Sequence, residues 1–188
     1  MLSVPITKVR RMLMFLPFAV IACTSSDSTA PAADADAQVA LLNAALAGAP
    51  PPVVALAKEV HAVTARFHST VQATKAGYAV DSPCVAVPGV GAMGIHWVNH
   101  SLVDATFDPL RPEAVLYEPG NNGQLKLVGV EYIVLNTGQT APTFAGQPFD
   151  VGGNPMPAPH WTLHLWIHKP NPSGLFAPFN PDVTCPAP

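Results

Sequence analysis

The sequence predicts an α+β protein in which one or two N-terminal helices pack on a small antiparallel β-sheet or barrel. Three observations support this fold class: apolar residues first recur at helical spacing, the pattern then changes to alternation, and turn-forming Pro, Gly and Asn residues separate the alternating segments. With 22 prolines and only 11% charged residues, the chain is expected to be rich in loops and to have short regular elements.

Residues 1–22 are interpreted as a signal peptide that does not belong to the fold. Lys8, Arg10 and Arg11 precede an apolar run over residues 12–22, which is too short to span a hydrocarbon layer of about 30 Å as a helix. The segment Val20-Ile21-Ala22-Cys23 resembles the lipobox of bacterial lipoproteins. This resemblance implies cleavage before Cys23 and acylation of its thiol, for example with palmitate, while an ordinary secretory signal with an incidental cysteine is the alternative.

The segment 23–37 is small, polar and acidic, so it is predicted to be a flexible linker that cannot form a core. It would connect the lipid anchor to a single globular domain over residues 38–188. The expected location is the bacterial cell envelope, where the membrane-anchored protein faces the periplasm or the exterior.

The charge distribution argues against nucleic acid as a partner. All twelve acidic residues lie beyond the signal peptide, together with only six of the nine basic residues. The mature chain is therefore more acidic than the full sequence, and no basic patch indicates binding to nucleic acid or to an anionic surface.

Cys84 and Cys185 remain as a pair once Cys23 is assigned to the lipid. In an oxidising compartment, such a pair is expected to form a disulfide. A thiolate metal site is the alternative, but neither cysteine belongs to a Cys-x-x-Cys motif or lies close in sequence to a histidine.

Two helices are predicted first. Asp36 is expected to cap a short helix that ends near Gly48 and the prolines at 50–52. Apolar residues then recur at three- and four-residue steps from Val53 to Val71, which predicts an amphipathic helix with Gly77 as its C-terminal stop.

Four strands are predicted after the helices, over residues 94–98, 114–118, 124–135 and 160–168. The segment 119–123 is rich in Gly and Asn and is expected to join the second and third strands as a hairpin. A proline- and glycine-rich loop is expected over residues 137–159.

Histidines are the most informative residues of the predicted sheet. Five of the seven, His96, His100, His160, His164 and His168, lie in or beside the two segments that contain tryptophan. In the last predicted strand the odd positions are apolar, whereas the even positions carry histidine, threonine and tryptophan. This alternation predicts one apolar face and one histidine face.

A metal site on the histidine face is the leading functional hypothesis. His96 and His164 are central in their strands, and Glu131 is a carboxylate on an otherwise apolar face, where it needs a partner. These three are predicted as ligands, with His160 or His68 as the next. Imidazole and carboxylate suit Zn, Cu, Fe or Mn, and the ligand types do not select among these metals.

Strand geometry limits which histidines can share a metal. Residues four apart on a strand, such as His160 and His164, are about 13 Å apart at roughly 3.3 Å per residue, so only a bend near Thr162 would bring them together. The alternative reading of each residue is an ordinary surface or core side chain, with Glu131 paired to Arg66, Arg111 or a histidine.

No reaction can be assigned, so catalytic residues remain unknown. The second functional hypothesis is a non-catalytic envelope module that binds a glycan or another small molecule on an aromatic platform of Trp97, Trp161 and Trp166. A protein with purely structural contacts is the third. Motifs of zincins, nucleophile elbows, phosphate loops and dinucleotide sites are absent from the sequence.

The C-terminal half, over roughly Val63 to Cys185, resembles a group of exported bacterial proteins of unassigned function. The segments that carry the resemblance are residues 94–99, 111–117, 128–132 and 174–181. It implies a coherent single domain and transfers no catalytic residue.

Overall fold

The computed structural model describes residues 32–120, 123–153 and 158–185, and it confirms the α+β class. In these ranges three helices accompany a mostly antiparallel sheet that does not close into a barrel. The predicted signal peptide, the lipobox and most of the predicted linker lie outside the described residues, and so do Asn121 and Asn122 of the predicted hairpin turn.

The helices are α1 (Ala32–Ala45), α2 (Pro51–Thr64) and α3 (Thr70–Lys75), with a 3₁₀ turn over Ala65–His68 between the last two. Helix α1 begins before Asp36, so Asp36 lies inside the helix instead of capping it, and the end of the predicted linker is helical. Prolines occupy the first turn of α2, where their missing N–H groups cost nothing.

The prediction of one continuous helix from Val53 to Val71 is wrong, because this segment is divided into two helices. At Thr64 the side-chain hydroxyl donates to the carbonyl of Val60 at 2.7 Å, and the chain then tightens into the 3₁₀ turn before α3 starts. Gly77, with φ +94°, does follow the end of α3, as expected of a C-terminal glycine.

Nine strands follow the helices within the described residues. Their bounds are β1 (Ala79–Val80), β2 (Val85–Val87), β3 (Gly91–Val98), β4 (Ala114–Pro119), β5 (Leu125–Leu135), β6 (Thr143–Phe144), β7 (Gln147–Pro148), β8 (Asp150–Val151) and β9 (His160–Leu165).

Seven of these strands form one sheet in the order β1-β3-β4-β5-β9-β8, with β2 also paired to β3. All pairs are antiparallel, and β6 and β7 form a separate hairpin. Strands β4 and β5 pair with each other in antiparallel orientation, as expected for the predicted hairpin. The expected loop over 137–159 contains the three short strands β6 to β8, and β9 ends three residues earlier than predicted.

The two faces of the sheet have different coverings. One face packs against α1 and α2 and forms the main core, to which the odd residues of β9 belong. The opposite face carries two smaller apolar clusters, one around Trp166 and Val183 and the other around Val98 and Ile133. The predicted separation of an apolar face from a histidine face along β9 is therefore present.

Cys84 and Cys185 lie at disulfide distance, with their Cα atoms 5.5 Å apart, which fits the predicted disulfide. The bridge would connect the start of β2 to the C-terminal segment, whose Val183 packs in the cluster around Trp166. Among the described residues, helices that are both long and apolar enough to cross a bilayer are absent.

Candidate metal centre

His96, Glu131 and His164 meet on the sheet face opposite the helices. They come from β3, β5 and β9, and Glu131 is the direct cross-strand partner of His164. His96 lies one strand further away, because β4 runs between β3 and β5. The period of two along each strand places all three side chains on one face, as the sequence indicated.

Ala114 explains how His96 reaches Glu131 across β4. It pairs with Val98 on one side and with Glu131 on the other, and it is fully buried. Its side chain is only a methyl group beside Glu131, and His96 pairs with Leu116, whose partner on β5 is Gly129, which has no side chain. A larger side chain in place of Ala114 would occupy the space between His96 and Glu131.

The three side chains offer one compact set of ligand atoms. His96 Nε2 lies 3.3 Å from Glu131 Oε2, and His164 Nε2 lies 3.9 Å from Glu131 Oε1. The ligand atoms of the group all lie within 4.8 Å of one another. Tetrahedral coordination with bonds of roughly 2.1 Å separates ligand atoms by about 3.4 Å, so the group could hold a metal ion after small side-chain movements.

Burial makes this arrangement chemically unusual. His164, Glu131 and His96 are only 4%, 8% and 9% exposed, and His164 Nε2 has no hydrogen-bond partner within the described residues. Burial lowers the pKa of His164, although the charge of Glu131 opposes this shift. Burial by itself would raise the pKa of Glu131, but His164, His96 and Thr162 outweigh it and hold that pKa well below its usual range.

The low pKa of Glu131 and the lowered pKa of His164 are the directions that suit metal ligands. An ionised carboxylate and a neutral imidazole each offer a lone pair to a metal ion. Across the described part of the chain, the ion-pair contacts of Glu131 within 4 Å are with His96 and His164, and neither Lys nor Arg pairs with it. Of the pairings suggested as the alternative for Glu131, those with Arg66 and Arg111 do not form, whereas the pairing with a histidine does.

Two hydroxyl side chains orient the group, and sequence reasoning did not identify either of them as part of it. Thr162 Oγ1 donates a short hydrogen bond to Glu131 Oε1, and Ser82 Oγ lies 3.2 Å from His96 Nδ1. A proton on Nδ1 that is donated to Ser82 would leave the lone pair of His96 Nε2 available to a metal ion, as the outer partners of metal-bound histidines do. The even-numbered position of Thr162, between two histidines, was the available signal for it.

His160 and His68, the further predicted ligands, lie elsewhere. His160 pairs with Leu135 at the far end of β9, and its ring packs against Gly152 and lies 2.9 Å from the carbonyl of Ala158. Strand β9 continues without a bulge at Thr162. His160 and His164 therefore remain four residues apart on an extended strand, which is too far to share one metal ion. His68 belongs to the 3₁₀ turn and contacts His168 instead.

A second histidine cluster forms around His168, because β9 ends at Leu165 and the alternation stops there. The His168 ring stacks on His61 with 4.6 Å between centroids and meets His68 edge-on at 5.0 Å. The hydroxyl of Thr64 donates to the carbonyl of Val60, so it accepts from His168 Nε2 at 2.9 Å. The nitrogens of this cluster do not converge as those of the first group do.

Two of the three tryptophans are buried and do not form the surface platform that the sequence suggested, and Trp97 is half-buried against the main core. Trp166 is fully buried and Trp161 is 8% exposed. Trp161 points into the main core, and Trp166 lies over Gly129, where a Cβ atom would meet its ring at 3.3 Å. His100 lies after the end of β3, and its Nε2 is 2.7 Å from Asp81 Oδ1.

Comparisons with known proteins found no family model, no curated protein and no solved structure that matches this chain.

Proposed function

We propose that this protein is a metal-binding domain whose ion is held by His96, Glu131 and His164. The observation that carries the proposal is the buried carboxylate of Glu131 between two imidazoles, without a Lys or Arg partner in the described residues. A buried carboxylate is costly unless a positive charge or several hydrogen bonds compensate it. A divalent cation between the three side chains supplies that charge and also satisfies His164 Nε2.

Two nitrogens and one oxygen suit the borderline metals Zn, Cu and Fe, and also Mn. The group supplies three protein ligands, which would leave one position of a tetrahedral ion without a protein ligand, and all three side chains are buried. The proposal therefore assigns metal binding and no reaction.

The proposed location is the bacterial envelope, with Cys23 as the lipid anchor. This rests on the lipobox-like segment, and the disulfide-distance cysteine pair is consistent with an oxidising compartment. Metabolic labelling with radioactive palmitate is expected to mark the wild-type protein and not Cys23→Ala. Equal labelling of both proteins would disprove acylation at Cys23.

Metal analysis of protein purified without an affinity tag tests the metal site. After incubation with Zn, Cu, Fe or Mn and removal of free metal, we expect about one ion per chain in the wild type. At a metal concentration of about 100 times the Kd, binding stabilises the native state by about 2.7 kcal/mol, which thermal unfolding detects. Glu131→Gln and His164→Ala are expected to lose both the ion and the increase in Tm.

His100→Ala is the matched control, because His100 is an exposed histidine outside the group. It should retain the metal and the increase in Tm. Wild-type protein that binds none of the four metals would refute the proposal, and so would equal metal retention by Glu131→Gln and the wild type.

A further inference from the structure

A cavity of about 330 Å³ lies between the end of α2, helix α3 and the segment 99–112. None of its lining residues belongs to the metal centre. Three basic side chains line it, those of Arg66, Lys75 and Arg111. The described residues contain six Lys and Arg in total, so half of the basic side chains of an acidic domain surround this one cavity.

These three cations have no acidic partner in the part of the chain that the structure describes. Within those residues, the only ion pair that involves a Lys or an Arg joins Lys169 to Glu118. The cavity lining includes neither Asp nor Glu. Asp108, three residues before Arg111, accepts from the backbone N–H of Leu110 at 3.0 Å, and Glu113, two residues after Arg111, accepts from the backbone N–H of Ile133 at 3.0 Å. The donors of Arg66, Lys75 and Arg111 are therefore available to a ligand.

The walls of the cavity are held in place by buried hydrogen bonds. Tyr78, which is 3% exposed, donates its phenol to the carbonyl of Pro112 at 2.6 Å. Asn99 Nδ2 donates to the carbonyl of Ala76 at 2.9 Å, and its Oδ1 accepts from Ser101. These bonds tie α3 to the segment 99–112, so Lys75 and Arg111 are presented from two connected walls.

Arg66 and Arg111 both affect the pKa of the Tyr78 phenol. Burial raises the pKa of Tyr78 to about 12, the charge of Glu113 adds to this rise, and Arg66 and Arg111 oppose it. Both Arg side chains line the same cavity as Tyr78. Arg66 is in addition placed over the ring of Phe67, 4.7 Å from its centroid.

We propose that this cavity binds a small organic anion, with a carboxylate or phosphate group held by Arg66, Arg111 and Lys75. Two guanidinium groups favour an oxyanion because each presents a fork of donors that matches two oxygens. The other lining residues include Val63, Phe67, Leu102 and Leu110, which suit a short apolar body. The volume lies at the lower end of the range for small-molecule sites.

The test is a titration of the full-length protein with sodium butyrate and, separately, with inorganic phosphate at constant ionic strength. Backbone amide shifts in a ¹⁵N NMR spectrum report binding. We expect saturable shifts confined to residues 63–78 and 99–112, with butyrate binding more tightly than phosphate. Saturation by phosphate alone would overturn the assignment to an organic anion, and saturation by neither would overturn the site.

Variants separate a built site from a general charge effect. Arg66→Gln and Arg111→Gln are each expected to weaken butyrate binding by about 10- to 100-fold, the loss typical of one charge-assisted hydrogen bond. Arg111→Lys keeps the charge without the fork and should bind with intermediate affinity. Lys126→Gln, which removes a positive charge on β5, is the matched control and should bind like the wild type. An equal loss in Lys126→Gln would refute the proposal.

Discussion

Glu131 lies on a face of β5 that it shares with Gly129 and Ile133, and the structure places it directly opposite His164. Burial would raise the pKa of this carboxyl group, but the two histidines and the hydroxyl of Thr162 hold it well below its usual range. A single charged residue on an apolar face was therefore the most useful functional signal in the sequence. Its physical basis is the cost of burying an unpaired charge.

The buried position of His168 predicts a dependence of stability on pH. Burial, and then the charges of His61 and His68, lower its pKa well below the ordinary value of 6.5. Between the two pKa values the unfolded chain binds more protons than the native protein. The stability contributed by neutral His168 is therefore present above about pH 6.5 and is lost as the pH falls below it.

His168→Gln, which retains a donor for Thr64, should flatten this dependence by at most about 1.4 kcal/mol per pH unit. Urea unfolding between pH 5 and pH 7.5 measures the difference. Burial raises the pKa of Glu113 to about 8, so that group contributes the opposite slope, but it does so in both proteins and cancels in the comparison. Equal slopes for the two proteins would contradict the prediction.

At the scale of elements, β3 depends on the close approach of its backbone to β4. Gly94 has φ +91°, and a Cβ atom there would lie 2.6 Å from the carbonyl oxygen of Tyr117. The strand therefore requires glycine at this position both for its conformation and for the space beside β4. His96, two residues further on, owes its position to the same strand.

Gly94→Ala is expected to lower the free energy of unfolding by about 3 kcal/mol or more, because backbone strain adds to a collision with a backbone atom that cannot move alone. Gly138→Ala is the matched control, since Gly138 also has a positive φ, +101°, but nothing lies within 4 Å of an added Cβ. It should cost about 1 to 2 kcal/mol. Urea unfolding compares both variants with the wild type, and equal losses would show that the contact with Tyr117 is unimportant.

At the scale of the whole molecule, the cysteine pair closes a loop of 101 residues that contains most of the sheet. Removing such a cross-link increases the entropy of the unfolded chain. We expect Cys84→Ser with Cys185→Ser to lower the free energy of unfolding by about 2 to 5 kcal/mol.

Thermal unfolding with and without a reductant checks this prediction. The reductant should lower the Tm of the wild type and leave that of the double variant unchanged. A wild-type Tm that does not respond after complete reduction, verified by thiol titration, would contradict a stabilising bridge.

The sequence by itself determined the α+β class, the main strands, the β4–β5 hairpin and three residues of the candidate metal centre. These features follow from local properties: the period of side chains along a strand, the conformational preferences of Gly and Asn, and the cost of burying a carboxylate. Each can be evaluated within a few residues of the chain, so the pattern is enough to indicate it.

Only the tertiary structure decided which distant side chains meet. The pairing order puts β4 between β3 and β5, and the small side chain of Ala114 then allows His96 to approach Glu131. The end of β9 at Leu165 sends His168 to His61 and His68. The three basic residues that line the cavity, Arg66, Lys75 and Arg111, also come from separate elements. These outcomes depend on strand register and on where elements end, which long-range packing determines and local pattern does not.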